Sequence, residues 1–300
     1  MYLSIDIGGT FIKYALMTRA GTIIHKNKKP TPKTNLTNFL HALFSIIEEQ
    51  GDRNEIKGIA ISCPGIVDVE TGIIYHGGSF PFLHEVNIME MIQKKYQKNV
   101  SIENDAKCAA MAEMWLGSVK GINDAVVLVL GSGVGGGIIL GGKVRRGITM
   151  SAGEVSYIIR DIHPDTKQAS LFGNYCSAVE MVRQIAGAKQ LENLTDGEAV
   201  FEFINNQDEE ATAIFDKYCL QLAAQILNLQ YIIDPERFAI GGGISAQPVL
   251  LERINWAIQE LKQHNPILHM ANPQVVTCHF QNDANLYGAL YHFLVTMKKR

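Results

Sequence analysis

Five short stretches hold residues able to do chemistry: DIGGT at 6–10, END at 103–105, LGSGVGGG at 130–137, AGE at 152–154 and IGGGI at 240–244. Three of them are glycine turns at the ends of apolar runs. Glycine weakens a strand and loses the most entropy on folding, so these sites need bare backbone more than packing. Successive N–H groups in such a turn form a nest that an anion can approach closely. Two hairpins facing one polyphosphate account for the pattern: Gly8-Gly9 with Thr10, and Gly131-Ser132-Gly133. Gly241, Gly242 and Gly243 then supply a flat floor for a purine. Asp6 ends the first strand, where a carboxylate can hold magnesium through water. Thr10 can donate a hydroxyl to phosphate, and Lys13 can add a point charge. Taken singly, Gly8-Gly9 reads as an ordinary turn and Lys13 as a solvated strand lysine. Only the three turns together point to a polyphosphate.

A dinucleotide site is the obvious rival, because Gly131, Gly133 and Gly136 satisfy G-x-G-x-x-G and Glu154 lies near the offset of a ribose-binding acid. That site requires the glycines to open a helix whose N-terminus holds the pyrophosphate. Here they open another apolar run, GIIL, followed by Gly141-Gly142. The rival fails on context, and the Walker sequence is absent. In NVSIENDAKCAAMAEMW, Asn104 and Asp105 stand where a strand gives way to a helix. Either suits an N-cap. Asp105 also suits a base that accepts the proton of an attacking hydroxyl, since a helix N-terminus favours the ionised carboxylate.

The elements that must position these residues follow from apolar periodicity. YLSIDI and FIKYALM flank Gly8-Gly9 as a hairpin, and TIIHKNKK follows as a further arm. Residues 35–50 have helical spacing, IKGIAISCPG reads as a buried strand, 89–96 as a helix, VSI as a strand and 106–116 as an alanine-rich helix. From Asn123 the layout of strand, glycine turn and strand begins again, which suggests internal duplication with a boundary near 117–121. Helices are expected over 178–188, 197–205, 209–229 and 248–264. The reading gives two domains, 1–118 and 119–285, with the C-terminal helix 286–300 a candidate to pack back on the first. A length of 300 residues agrees with about two domains.

In this order the six motifs DIGGT, CPGIVD (63–68), END, LGSGVGGG, AGE and IGGGI resemble the ROK family of repressors, open reading frames and sugar kinases. The wider likeness is to the ATPase core shared by hexokinase, actin and the heat-shock chaperones. The resemblance spans essentially the whole chain. It implies an α/β, two-domain, ribonuclease-H-like fold with a central cleft, and transfer of the ATP γ-phosphoryl group to a sugar hydroxyl. It carries the catalytic base to Asp105 and sugar binding to Asn104, Asp105, Glu154, Gly65 and Gly78. The cofactor set is then Asp6, Gly8, Gly9, Thr10, Lys13, Gly131, Ser132, Gly133, Gly242 and Gly243, with ATP and magnesium as the implied cofactors. Gly77-Gly78 would let a sugar ring come close, with Phe80 or Phe82 as an apolar wall; the alternative is an ordinary loop with core aromatics.

Other classes have less support. The formal charge of −3 gives no reason to expect nucleic acid or an anionic membrane surface. ROK repressors carry a helix-turn-helix domain before DIGGT, whereas here DIGGT starts at residue 6. No run of apolar residues approaches a membrane span. Five scattered cysteines without a CxxC favour reduced thiols in a cytoplasmic setting. The family also makes a homodimer the expectation.

Two departures bear on metal and substrate. Many ROK members read G-E-x-G-H, with a histidine that binds sugar or zinc; this chain reads GEVSY, with Ser156 and Tyr157 in those places. The cysteine-rich zinc loop is also missing, and a lone Cys176 cannot build a tetrahedral site. Together with IVDVETGIIYHGG, these features resemble the β-glucoside kinase branch, whose members act on the 6-hydroxyl of the non-reducing glucose in cellobiose-like sugars. Glucokinase, fructokinase and N-acetylmannosamine kinase are the alternatives, and a regulator lacking its DNA-binding domain is the alternative of another class. Elemental analysis of the purified protein is expected to find no stoichiometric zinc; one zinc per chain contradicts this.

Overall fold

YLSIDI forms β1 (Tyr2–Ile7), and the turn at Gly8-Gly9 sends the chain back as β2 (Phe11–Met17) and β3 (Ile23–Pro30). Helix α1 (Leu36–Glu48) is capped by Asn35, whose side chain accepts the Asn38 N–H. Then come β4 (Ile59–Cys63), a small three-stranded sheet of β5 (Ile66–Val67), β6 (Ile73–Tyr75) and β7 (Val86–Asn87), and helix α2 (Ile88–Tyr96). Strand β8 (Val100–Asn104) runs directly into α3 (Asp105–Leu116). The main sheet has the order β3-β2-β1-β4-β8, antiparallel across β1, β2 and β3 and parallel across β1, β4 and β8.

The second half repeats that plan. Strands β9 (Ala125–Leu130), β10 (Val134–Leu140) and β11 (Lys143–Val144) are antiparallel. A small hairpin, β12 (Ile159–Ile162) and β13 (Ala169–Leu171), precedes helices α4 (Phe172–Tyr175), α5 (Ala178–Ala188), α6 (Gly197–Asn205) and α7 (Glu209–Ile233). Strand β14 (Arg237–Gly242), helix α8 (Pro248–His264) and β15 (Val275–Thr277) complete a sheet ordered β11-β10-β9-β14-β15, parallel across its last three strands. Two sheets of one topology are what a duplicated ribonuclease-H-like ATPase fold of the actin and hexokinase type requires. The chain ends in α9 (Ala284–Met297).

The computed structural model describes residues 1–50 and 55–298, so the last two positions of the helix expected over 286–300 lie outside the described residues. The chain divides into two units. The first holds Met1–Gly117, Arg146–Ala152 and the chain from Asp283; the second holds Ser118–Arg145 and Gly153–Asn282. Among the described residues no helix is long and apolar enough to cross a membrane.

In the first unit the two faces of the sheet differ in chemistry. Leu3, Ile5, Ile7, Ile59, Ile61, Val100 and Ile102 join one apolar core with Phe39, Leu43 and Ile92 from α1 and α2. Because side chains alternate along a strand, the intervening residues point the other way: Ser4, Asp6, Ala60, Ser62, Ser101 and Glu103. This smaller, more polar face is covered by α3 and α9. Ser4 Oγ donates to Leu286 O at 2.6 Å, and Ala60 packs with Cys108, Ala289 and Phe293. The two helices approach closely because Gly288 has no side chain: a Cβ there would lie 1.7 Å from Cys108 O. Gly288→Ala is expected to push the helices apart and cost about 1–3 kcal/mol, as overpacking does. A urea midpoint equal to that of the wild type contradicts this packing.

Candidate active site

Asn104 is the N-cap of α3, its Oδ1 accepting the Lys107 N–H at 3.0 Å. A capping asparagine still has its amide nitrogen to place. Here Nδ2 donates to Gly65 O at 2.9 Å and to Asp105 Oδ1 at 3.0 Å. Asp105 Oδ1 also accepts the Ala106 N–H at 2.8 Å, so the carboxylate sits over the positive end of the helix. Gly65 has φ +98° and a Cβ there would lie 2.6 Å from His76 O, so glycine lets the 76–78 loop fold onto Pro64-Gly65. Gly78, at φ +60°, closes that contact: its Cβ would meet the Pro64 ring at 3.2 Å. Gly65, Gly78, Asn104 and Asp105 therefore form one constellation in the first unit. Phe80 does not join it, being fully buried against Phe39 and Phe82 with ring centroids 5.7 and 5.8 Å away. It is a core aromatic and cannot wall a ligand.

Glu103 stands behind this group. It is fully buried, and its Oε1 accepts the Asn104 N–H at 2.9 Å while Oε2 takes both Nε (2.7 Å) and Nη2 (2.5 Å) of Arg146. The α9 residue His292 adjoins the pair, its Nδ1 lying 3.4 Å from Arg146 Nη2. Burial holds its imidazole below the usual range, against the pull of Glu103.

Asp6 lies at the end of β1 on the same polar face. Its Oδ1 accepts from Ser62 Oγ at 3.0 Å and from Asn285 Nδ2 at 2.9 Å, and Lys13 Nζ is 3.8 Å from Oδ2. Burial raises its pKa, while Asn285, Lys13 and Ser62 oppose the rise. The adjoining hairpin is fastened by Thr31, which donates Oγ1 to Gly8 O at 2.7 Å and its N–H to Thr10 O at 3.0 Å. Gly9 and Thr10 are exposed. A Cβ on Gly9 would meet only Ser79 Oγ, at 3.8 Å.

In the second unit, Gly131 and Gly242 lie on adjacent strand ends, since Gly242 pairs with Leu130. Gly242 has φ +97°, and a Cβ there would fall 2.1 Å from Leu130 O. The turn is closed by Gly131 N–H to Gly133 O at 3.0 Å, with Ser132 exposed at its tip. Gly131 and Gly243 have nothing within 4 Å of a would-be Cβ, so an incoming group can reach their backbone. Gly136 has a different purpose: a Cβ there would lie 2.3 Å from Gly153 O and 2.8 Å from a Val155 methyl. It seats the loop that carries Glu154, a half-buried residue at the start of a short turn (Val155–Tyr157).

Comparison with known proteins agrees with this geometry. The profile of the ROK family matches residues 2–295. The chain is 31% identical over 293 residues to a β-glucoside kinase from Listeria monocytogenes, covering 96% of each chain. It is 28% identical to a glucokinase from Halalkalibacterium halodurans, covering 88% of this chain and 84% of that one. A crystal structure of a ROK family protein from Streptococcus pneumoniae in complex with sucrose superposes with a TM-score of 0.86 at 30% identity, covering 100% and 99% of the two chains.

The chain belongs to the ROK family, as one of its sugar kinases.

ROK kinases use ATP, and the residues here fit a nucleotide: the open backbone at Gly131 and Gly243 is a cradle that any side chain would fill. They also fit magnesium of the kind that rides on phosphates. Among the described residues no three His, Cys, Asp or Glu side chains gather to hold a metal. A single carboxylate, Asp6, with phosphates and waters is a normal magnesium environment. Cys176 is buried, and burial pushes its thiol up to about 12, which disfavours the thiolate a zinc site needs. Of Ser62, Asn285, Thr31, Glu103, Arg146 and His292, only Glu103 carries a signal in the sequence, as the first letter of END. Asn285 donates to the charged form of Asp6, so Asn285→Ala should raise the Asp6 pKa further. The acid limb of the pH profile of kcat/KM for ATP is then expected to move to higher pH; an unmoved limb contradicts the assigned role of Asp6.

Proposed function

We propose that this ROK kinase transfers the γ-phosphoryl group of ATP to the 6-hydroxyl of a β-glucoside such as cellobiose, with Asp105 as the base. The observation that carries the reading is the Asp105 carboxylate, held by Asn104 Nδ2 and the Ala106 N–H beside the Gly65–Gly78 loop. Phosphoryl transfer passes through a loose transition state with little covalent work for the protein. Asp105 therefore mainly orients the sugar hydroxyl and takes its proton late. Asn104 and Glu154 hold sugar hydroxyls, since an amide or carboxylate oxygen accepts from neighbouring hydroxyls. Gly65 and Gly78 admit the ring. Gly8, Gly9, Thr10, Gly131, Ser132, Gly133, Gly242 and Gly243 meet the nucleotide through backbone N–H groups and hydroxyls, with Lys13 as a nearby positive charge. Asp6 would hold magnesium through water, and that ion would offset charge on the phosphates.

The β-glucoside assignment is supported by the 31% identity to the Listeria enzyme and by Ser156 and Tyr157 standing where many family members have glycine and histidine. Glucokinase activity is the second reading, favoured by the likeness to the Halalkalibacterium enzyme. A cytoplasmic homodimer belongs to the same proposal.

A coupled ADP-release assay with ATP and magnesium, run against cellobiose, glucose, fructose and N-acetylmannosamine, is expected to show the highest kcat/KM on cellobiose. Turnover on N-acetylmannosamine alone removes the β-glucoside assignment. Asp105→Asn should lower turnover by about 10²–10⁴-fold while the protein stays folded. Near-normal turnover of that variant excludes Asp105 as the base.

A further inference from the structure

The transfer step just described gives Ser156 no task, yet its hydroxyl is bonded both as donor and as acceptor. Ser156 Oγ accepts the Val134 N–H at 3.0 Å and donates to Val134 O at 2.9 Å. One side chain thus occupies both main-chain groups of a strand residue, as a neighbouring strand would. Strand β11 does not serve this position, since it pairs with β10 only at Ile139 and Leu140. Val134 is also the residue that leaves the Gly131–Gly133 turn.

Two glycines make room for the hydroxyl. A Cβ on Gly133 would lie 3.1 Å from Ser156 Oγ, and one on Gly173 only 2.5 Å away. The same loop has a second seat on β10 two residues further on, where Gly153 and Val155 press against Gly136. Glu154 lies between these two attachments. The other end of the turn is fixed as well: Gly131 O accepts the Val179 N–H at 3.3 Å, at the start of α5, and Ser177 Oγ at 3.5 Å. A turn tied at one end to α5 and at the other to residue 156 cannot shift without moving the Glu154 loop. Nor can the loop shift without moving the turn.

We propose that Ser156 is a positioning residue that couples two subsites of the second unit, so that sugar at Glu154 and nucleotide at the 131–133 turn bind cooperatively. The proposal rests on the transfer reading for what each subsite holds. Ser156 itself touches neither substrate. Coupling of this kind is reciprocal: whatever factor the sugar contributes to nucleotide affinity, the nucleotide returns to sugar affinity.

The test is calorimetric titration of the full chain with the non-hydrolysable β,γ-imido analogue of ATP and magnesium, with and without saturating cellobiose or glucose. In the wild type the sugar is expected to tighten the analogue by about fivefold or more. In Ser156→Ala the ratio should fall to within about twofold of unity, with the reverse titration giving the same loss. Thermal unfolding is followed in parallel, because a purely structural serine would lower the midpoint and leave the ratio intact. If the alanine variant does not fold, Ser156→Gly is read by the same ratio. A wild-type ratio retained in the variant overturns the proposal. So does a wild type that binds both ligands independently, which leaves the transfer reading standing. A wild type that binds neither overturns the transfer reading, and the coupling with it.

Discussion

The side chain of Asn104 satisfies the first turn of α3 with its oxygen and directs its nitrogen to Gly65 O and Asp105 Oδ1. Capping is an ordinary structural need, worth about 0.5–2 kcal/mol when lost. Here the residue that meets it also fixes the carboxylate next to it and the loop across from it. Strand β8 must end at this residue and α3 must begin at the next one for both to happen. The glycines at 65 and 78, the close seat of α9 on α3 and the buried Glu103 behind the backbone all serve to hold that junction in place.

A second constraint is the chemistry of the face from which the junction emerges. Alternation along β1, β4 and β8 places Asp6, Ser62 and Glu103 on the side away from the apolar core, under α3 and α9. Buried polar groups are costly unless hydrogen-bonded. Helix α9 supplies what they need: Asn285 for Asp6, the Leu286 carbonyl for Ser4, and His292 beside the Glu103–Arg146 pair. The final helix is therefore a hydrogen-bonding partner of the polar face of the first unit, and more than a cover for its sheet. Breaking such a network by removing one partner leaves a buried charge without compensation, which makes these positions sensitive to substitution.

Much of this was legible in the chain as written. Apolar alternation marked the strands and the END stretch marked the passage from strand to helix. Of the expected turn GSGVGG only 131–133 turns, since β10 already begins at Val134 and takes in Gly135, Gly136 and Gly137. What the sequence reading missed depends on partners brought together only by folding. Asn285 lies 279 positions from Asp6, and nothing local in QNDANLYGAL sets it apart from any polar residue at a helix start. Arg146 and Glu103 are 43 positions apart and meet because 146–152 belongs with the first unit, an excursion without a compositional mark. Glycine was legible as a need for bare backbone, but not the reason for it. Gly131 and Gly243 leave space open to a ligand, while Gly136, in the same run, yields its space to Gly153 and Val155. Phe80 shows the same limit, since an aromatic beside a glycine pair suits a ligand wall or a core equally until its neighbours are known. Helix α7 ran on to Ile233, past the expected end at 229, because nothing in ILNLQYII stops a helix until Asp234 takes a left-handed conformation.

Capping and positioning of the Asp105 carboxylate are separable tasks of the Asn104 side chain. Asn104→Ser separates them, because serine caps a helix about as well as asparagine but has no amide to give to Gly65 O and Asp105. Measured together, its unfolding midpoint and its kcat give the answer. A midpoint close to that of the wild type and a kcat lower by about 10²-fold are expected, as for a misplaced reacting group. A kcat that stays at the wild-type level with the fold intact would contradict it.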